Sequence, residues 1–428
     1  MTSRRAFLES LFARAVAAAH PAQCLPQHLP PAPKAGRLVI LAAGKAAGSM
    51  VETAERFYLE AGVAPDRIAG LAVTRHGYAR PTKIVPVIEA GHPVPDQAGL
   101  DAAERTLVLA DGAGPDDLVL ALMSGGASAN WVAPAAGLAL AEKQAVSRAL
   151  LRSGAHIGEM NTLRKHLSRI KGGRLARRAA PARIVTLAIS DVPGDDPAVI
   201  GSGPTVPDPT TLSDARAIVE RFRLDLPEAV TRALSDPGNE SPKPGDPIFA
   251  STQFELVARP ADSFRAAEQA VRSAGYEYVF LGDRVEGEAR TVAAEQARIA
   301  RELQQQGRRA VIVSGGELTV TIRGKGRGGP NQEYALALVQ ELAAMRGVAA
   351  LAGDTDGTDG GGGKATDPAG AFVDAESAAK ARARGLDPAA FLADNDSTAF
   401  FEALGDLLTP GPTFTNVNDF RAIVVDTP

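Results

Sequence analysis

Short apolar runs rich in β-branched residues recur along this chain, each closing on a small-residue turn and handing over to a helical pattern. No other feature limits the fold as strongly. RLVILAAG (37–44) leads to MVETAERFYLEAG, and IAGLAVTRHG and KIVPVIEAGHP lead to the helical QAGLDAAERTLVLA. DLVLALMSGG (117–126) and RIVTLAISDVPGDD (183–196) continue the series, with a long helical stretch from Ala139 towards Arg178, broken near Gly154, between them. Strands buried on both faces read as continuous apolar runs, so the alternation predicts a mostly parallel, doubly wound, Rossmann-like α/β sheet. Ligands of such sheets bind beyond the carboxyl ends of the strands. Here those ends carry GKAAGSM, SGGASAN and SDVPGDD.

DPGNESPKPGDP (236–247) is dense in Pro, Gly and Asp and reads as a linker. A second alternation follows, through IFASTQFELVA, YEYVFLGD, RAVIVSGG and GVAALAGD. The chain therefore divides into two α/β domains, 1–241 and 242–428, a size that 428 residues allows. The single cysteine, Cys24, excludes an internal disulfide and a Cys-rich zinc site. Six histidines without metal-binding spacing argue against a His-based transition-metal centre, and a net charge of −4 gives no global case for nucleic acid. TSRRAFLES has the arginine pair of an export signal, but Arg14 interrupts the apolar core such a signal needs. Phe7, Leu8, Leu11, Phe12, Val16 and Ala17 fit one face of an amphipathic helix instead. With no apolar run long enough to span a membrane, the expected location is cytoplasmic.

Four groups of residues carry the candidate chemistry. Lys45 follows an apolar strand among small residues, where a ligand could approach a fixed charge; a surface lysine is the plainer alternative. Ser124, Gly125 and Gly126 offer amides and a hydroxyl to an anion, or form a simple turn. Asp191, Asp195 and Asp196, with Asp354, Asp356 and Asp359, are carboxylates at strand ends. They suit Mg²⁺ or a general base, with solvated turns as the alternative. The side-chain-free run Gly360 to Gly363 would let a ligand lie against the backbone. Residues 160–178 carry seven Lys/Arg and no acid, with Arg164, Lys165 or Lys171 placed to face a carboxylate. A solvated helix face is the other reading, and the lack of aromatics argues against single-stranded nucleic acid.

GKGRGG (Gly324 to Gly329) fits the dinucleotide pattern G-x-G-x-x-G, and Asp354 closes the next strand about where a ribose ligand would be wanted. Yet the pattern comes late in its domain, after the alternating LTVTI. Lys325 and Arg327 bring two charges that suit a polyphosphate better, with Asn331 and Gln332 at a helix N-terminus. A tight turn with solvated cations is the plain alternative. No Walker A loop and no protein-kinase signature is present.

Taken together, GKAAGSM, EAGHPVPD, MSGGASA, MNTLRKHLSRIKGGRLA, SDVPGDDPAVIGSGPTVPD, SGGELTVTIRGKGRGGPNQE, GDTDGTDG, DNDSTAFF and GPTFTNVNDF resemble the class II glycerate kinases, the glycerate 2-kinase family with a C-terminal MOFRL domain. The resemblance implies ATP-dependent phosphorylation of D-glycerate to 2-phosphoglycerate with Mg²⁺. It implies a Rossmann-like N-terminal domain, a mixed-sheet MOFRL-type C-terminal domain and an active-site cleft between them. On that reading Lys45, Arg327 and Asp191 are catalytic. Ser124, Gly125, Gly126, Lys325, Gly326, Gly328, Gly329 and Asn331 hold the nucleotide, and Arg164, Lys165 and Lys171 hold the substrate. Asp191, Asp354 and Asp356 hold the metal. The partners are small molecules, with no nucleic acid or membrane, and a homodimer is compatible with the reading. Pro330 stands where many relatives have arginine, so that arginine's role must pass to Arg327 or be absent. Relatives have also been called hydroxypyruvate reductases, which makes an NAD(P)H-dependent reductase the alternative.

Overall fold

The computed structural model describes residues 3–343, 345–360 and 364–427. Its first sheet holds β1 (Leu38–Ala43), β2 (Ile68–Arg75), β3 (Val87–Ala90), β4 (Leu118–Met123), β5 (Arg183–Ile189) and β6 (Thr252–Ala258), in the order β3-β2-β1-β4-β5-β6. The sheet is parallel throughout, as its apolar runs predict. Every residue of β1 and β4 is buried, because helices cover both faces. The order places the topological switch point between β1 and β4, where the crossovers leave towards opposite edges.

The second sheet is mixed, as expected. It comprises β7 (Glu277–Phe280), β9 (Ala310–Ser314), β11 (Val348–Asp354), β12 (Gly370–Asp374), β13 (Leu407–Leu408) and β14 (Asp419–Val425), with β8 (Gly287–Glu288) and β10 (Leu318–Thr319) pairing apart from it. β14 runs antiparallel to β9 and β11, and β7 runs parallel to β9. LTVTI contributes only Leu318–Thr319 as strand.

Three expectations need correction. The 236–247 segment is not a linker. Asn239 is buried and donates to Ala233 O at 2.9 Å, and Pro242 O accepts from Asp208 N at 2.9 Å. The compact unit accordingly runs from Cys24 to Val257, and β6 closes the first sheet rather than opening the second domain. Residues 1–23 belong with Ala258–Pro428. The helix Arg4–Ala18 buries Leu8, Leu11, Phe12 and Ala15 against Phe264, Val311, Leu351 and Phe420. The paired arginines are structural here: Arg4 meets Asp426 and Arg5 meets Asp406, each at 2.7 Å. Finally, the stretch from 139 to 178 is three helices, Leu140–Ser153, Ile157–His166 and Arg174–Ala179. The second break falls at Gly172 and Gly173, whose φ values of 58° and 78° leave the helical region. Their amides donate to Ser202 O and Gly203 O at 2.9 and 2.8 Å, fixing this turn to the loop after β5.

Candidate functional site

In the Cys24–Val257 unit, Lys45, Ser124–Gly126 and Asp191 follow β1, β4 and β5, which are neighbours in the sheet. Neighbouring strands lie about 4.8 Å apart, so these turns share one crevice mouth at the switch point. The first two turns are tied together. Lys45 N donates to Gly125 O at 2.8 Å, and the Ser124 hydroxyl accepts from Ala46 N at 2.9 Å. Ser124 is wholly buried, so its hydroxyl secures the Lys45 turn and does not face a phosphate, contrary to expectation. Gly126 has φ 87°, and a Cβ there would lie 3.1 Å from the His92 ring and 3.3 Å from the Lys45 side-chain stem. Glycine at 126 is what allows His92 and Lys45 to converge. His92 escaped the sequence reading because an isolated histidine carries no spacing signal.

The basic segment is buried rather than solvated. Lys165 and Lys171 are 5% and 2% exposed, and Lys143 and Arg174 are buried with them. Lys143 Nζ donates to Arg164 O and Leu167 O at 3.0 Å, ending the helix Ile157–His166 with a cation. Burial, with Arg164 and Arg174 nearby, brings Lys143 down to about 7. Burial, with Lys143 and Arg164, pushes Lys171 well below the ordinary lysine range. The buried counter-charge is Asp208, 3.2 Å from Lys165 Nζ. Arg164 bonds Asn161 at 3.3 Å. Lys165 faces Asp208 and Lys171 faces Ser128, so neither meets a ligand in the direct way the sequence suggests. Five buried or half-buried basic side chains, with Asp208 and Glu240 as the nearby carboxylates, still make this a region that attracts an anion.

In the other unit, the backbone amides of the glycine-rich turn are spent within the protein. Arg323 N and Gly324 N donate to the Asn395 side chain, Lys325 N to Asp394 Oδ1 and Arg327 N to Asp396 Oδ1. A Cβ on Gly324 or Gly326 would overlap Asp394 or Asp396 at 2.2–2.3 Å. Gly328 lies against Ser397 and Gly329 against Asp359. These glycines admit the DNDS segment, not a pyrophosphate. Lys325 is exposed, and Arg327, 67% exposed, pairs with Glu402 at 3.5 Å. Pro330 opens the helix Pro330–Glu341, where a missing N–H costs nothing.

The acceptor at that helix N-terminus is already supplied by the protein. Asp359 accepts from Asn331 N at 3.0 Å and Gln332 N at 2.8 Å, and Asn331 Nδ2 bridges it to Asp419 at 3.2 and 2.7 Å. Asn331 thus spends its backbone and side-chain N–H groups on Asp359 and Asp419. Burial first, then the charge of Asp419, holds Asp359 up at about 7. Asp419, raised by its own burial, is also bound by Arg421 at 2.9 Å. Asp354 caps Asp356 N, and Asp356 holds Thr358. Gly361, Gly362 and Gly363 lie outside the described residues. Among the described residues, no three His, Cys, Asp or Glu groups form a complete metal-ligand set.

Comparison with known proteins supplies the family. Residues 7–235 match a domain of unknown function, DUF4147, and residues 310–419 match the MOFRL family. A chain of Agrobacterium vitis with the provisional name hydroxypyruvate reductase is 47% identical, covering 99% of this chain and 95% of that one. The D-glycerate 2-kinase of Thermotoga maritima is 38% identical over 90% of this chain and 89% of its own. The crystal structure of Thermotoga maritima glycerate kinase superposes with a TM-score of 0.85 and 35% identity, covering 98% of both chains. With these matches spanning nearly its whole length, the chain belongs to the class II glycerate 2-kinase family, the family that carries a C-terminal MOFRL domain.

Proposed function

We propose that this protein transfers the γ-phosphoryl group of ATP to the 2-hydroxyl of D-glycerate, giving 2-phosphoglycerate. One observation carries the reading: 38% identity to a D-glycerate 2-kinase across 90% of the chain, with the motifs in one order. Phosphoryl transfer needs positioning and charge neutralisation more than a covalent nucleophile. Lys45, fixed by the Gly125 carbonyl, is the cation for the transferring oxygens. Asp191, at the end of β5, is the group to take the proton of the attacking hydroxyl. The buried cations around Arg164 and Lys171 draw the substrate's negative charge. Magnesium takes one or two carboxylates plus phosphate oxygens, so it does not need a complete protein ligand set. Asp354 and Asp356, or Asp191, would hold it, and when bound it neutralises phosphate charge.

The reductase reading has a name among the relatives, but the local chemistry speaks against it. The glycines of its fingerprint are packed on Asp394–Ser397, and Asp359 occupies the helix N-terminus that a pyrophosphate would need. The turn after β1 reads GKAAG, without the second glycine that lets a dinucleotide approach the backbone. D-glycerate with MgATP, followed by phosphorus NMR, tests the kinase. Formation of 2-phosphoglycerate supports it. NADPH oxidation by hydroxypyruvate without ATP consumption would replace it with the reductase.

A further inference from the structure

Lys171 ends on a serine rather than on an acid. Its Nζ donates to Ser128 O at 2.6 Å and to Ser128 Oγ at 2.9 Å, and Ser128 Oγ lies 2.9 Å from Ser202 Oγ. Lys171 and Ser202 are buried, at 2% and 1% exposure, whereas Ser128 is half-buried, so of the two hydroxyls it is the one nearer to solvent. Ser128 sits two residues past Gly126, in the short turn of helix Ala127–Asn130 that continues the β4 loop beside Lys45.

The arrangement is held from several directions. Gly172 N donates to Ser202 O, Gly173 N to Gly203 O and Leu175 N to Pro204 O, which locks the Lys171 turn to the Ser202 loop. Ser202 itself takes φ 63°, a left-handed conformation that a non-glycine residue adopts at a cost. Arg174 fixes the carbonyls of Lys165 and Lys171 at 2.8 and 3.2 Å. A lone pair of Ser128 Oγ is thus taken by Lys171, and the hydroxyl is held beside a region rich in basic side chains. A hydroxyl whose oxygen already accepts a hydrogen bond is a stronger donor of its own proton, and its favoured partner is an anionic oxygen.

We infer that Ser128 is a carboxylate-binding residue of the substrate site, donating its hydroxyl to the carboxylate of the 2-hydroxy acid, with Lys171 and Ser202 as its positioning residues. This rests on the glycerate kinase reading and names the part of the site that recognises the acid. Sequence alone does not reveal it: Ser128 lies in a small-residue run, and Lys171 reads as a direct ligand where the fold turns it to Ser128.

The test is steady-state kinetics with D-glycerate and MgATP on the full-length protein, with D-glycerate binding measured separately by calorimetry. For Ser128→Ala, the glycerate KM and dissociation constant should both rise roughly 10- to 100-fold, the loss of a charge-assisted hydrogen bond, while the KM for ATP is unchanged. Ser202→Gly removes the hydroxyl without adding strain at a left-handed position. It should raise the glycerate KM by a smaller factor, with kcat held within about threefold. An unchanged glycerate KM and binding constant in Ser128→Ala, or a rise in the KM for ATP instead, overturns the inference while leaving the kinase reading intact. Wild-type protein that neither phosphorylates nor binds D-glycerate sinks both.

Discussion

At the residue scale, two side chains have environments that predict measurable behaviour. Lys45 is pinned at a strand end by its own amide, beside His92 and Gly126, so its side chain leaves from a fixed turn. Lys45→Ala should lower kcat roughly 10²–10³-fold with the thermal midpoint unchanged. Near-normal turnover removes Lys45 from the reaction. Asp359 is held up at about 7 by burial and by Asp419, whereas an unfolded carboxyl titrates near about 4. The folded protein thus keeps a proton that the unfolded chain has released. The stability this contributes is fully present below about pH 4 and drains away as pH rises to about 7. Thermal midpoints between pH 4 and 8 should fall more steeply for wild type than for Asp359→Asn. Parallel slopes would show that Asp359 does not titrate in this range. Asp359 was legible as one carboxylate of an acidic loop, but its task was not. Helix capping across 28 positions of sequence leaves no local signature.

At the element scale, the glycine-rich turn and the helix it opens show how one pattern serves two physical ends. Glycines permit close approach, and a sequence does not say what approaches. Here it is Asp394–Ser397 and the Asp359 carboxylate. Gly329→Ala would put a Cβ 2.5 Å from Asp359 and should destabilise the protein by about 1–3 kcal/mol, seen as a lower midpoint in calorimetry. Lys325→Ala, at an exposed position of the same turn, should leave the midpoint unchanged. Equal effects from both substitutions would mean that the packing role is misassigned. The basic segment teaches the converse. A solvated helix face is one reading of its charges, yet two further glycines turn it inward and the Ser202 loop captures their amides.

At the scale of the whole molecule, the chain's order and its compact units do not coincide. The first helix packs with the second half: Phe12 lies edge-on to Phe420 at 6.3 Å and is 3% exposed. Phe12→Ala should cost about 3–5 kcal/mol, and proteolysis under mild denaturant should then attack Ala258–Pro428 before Cys24–Val257. Simultaneous loss of both units, or no loss, would contradict that partition. Among the described residues no helix is long and apolar enough to cross a membrane.

Local apolar runs and their punctuation determined the strands, their parallel pairing in the first half and the turns that carry Lys45, Ser124 to Gly126 and Asp191. Those signals are legible because strand burial on both faces is written residue by residue. Only the tertiary structure decided that β6 completes the first sheet, that residues 1–23 serve the second unit, and that Asp359 rather than a ligand caps the helix Pro330–Glu341. It also decided that Lys171 reaches Ser128. Each of these is a contact between residues far apart in sequence, chosen by which buried surface or unsatisfied donor the folded chain brings near.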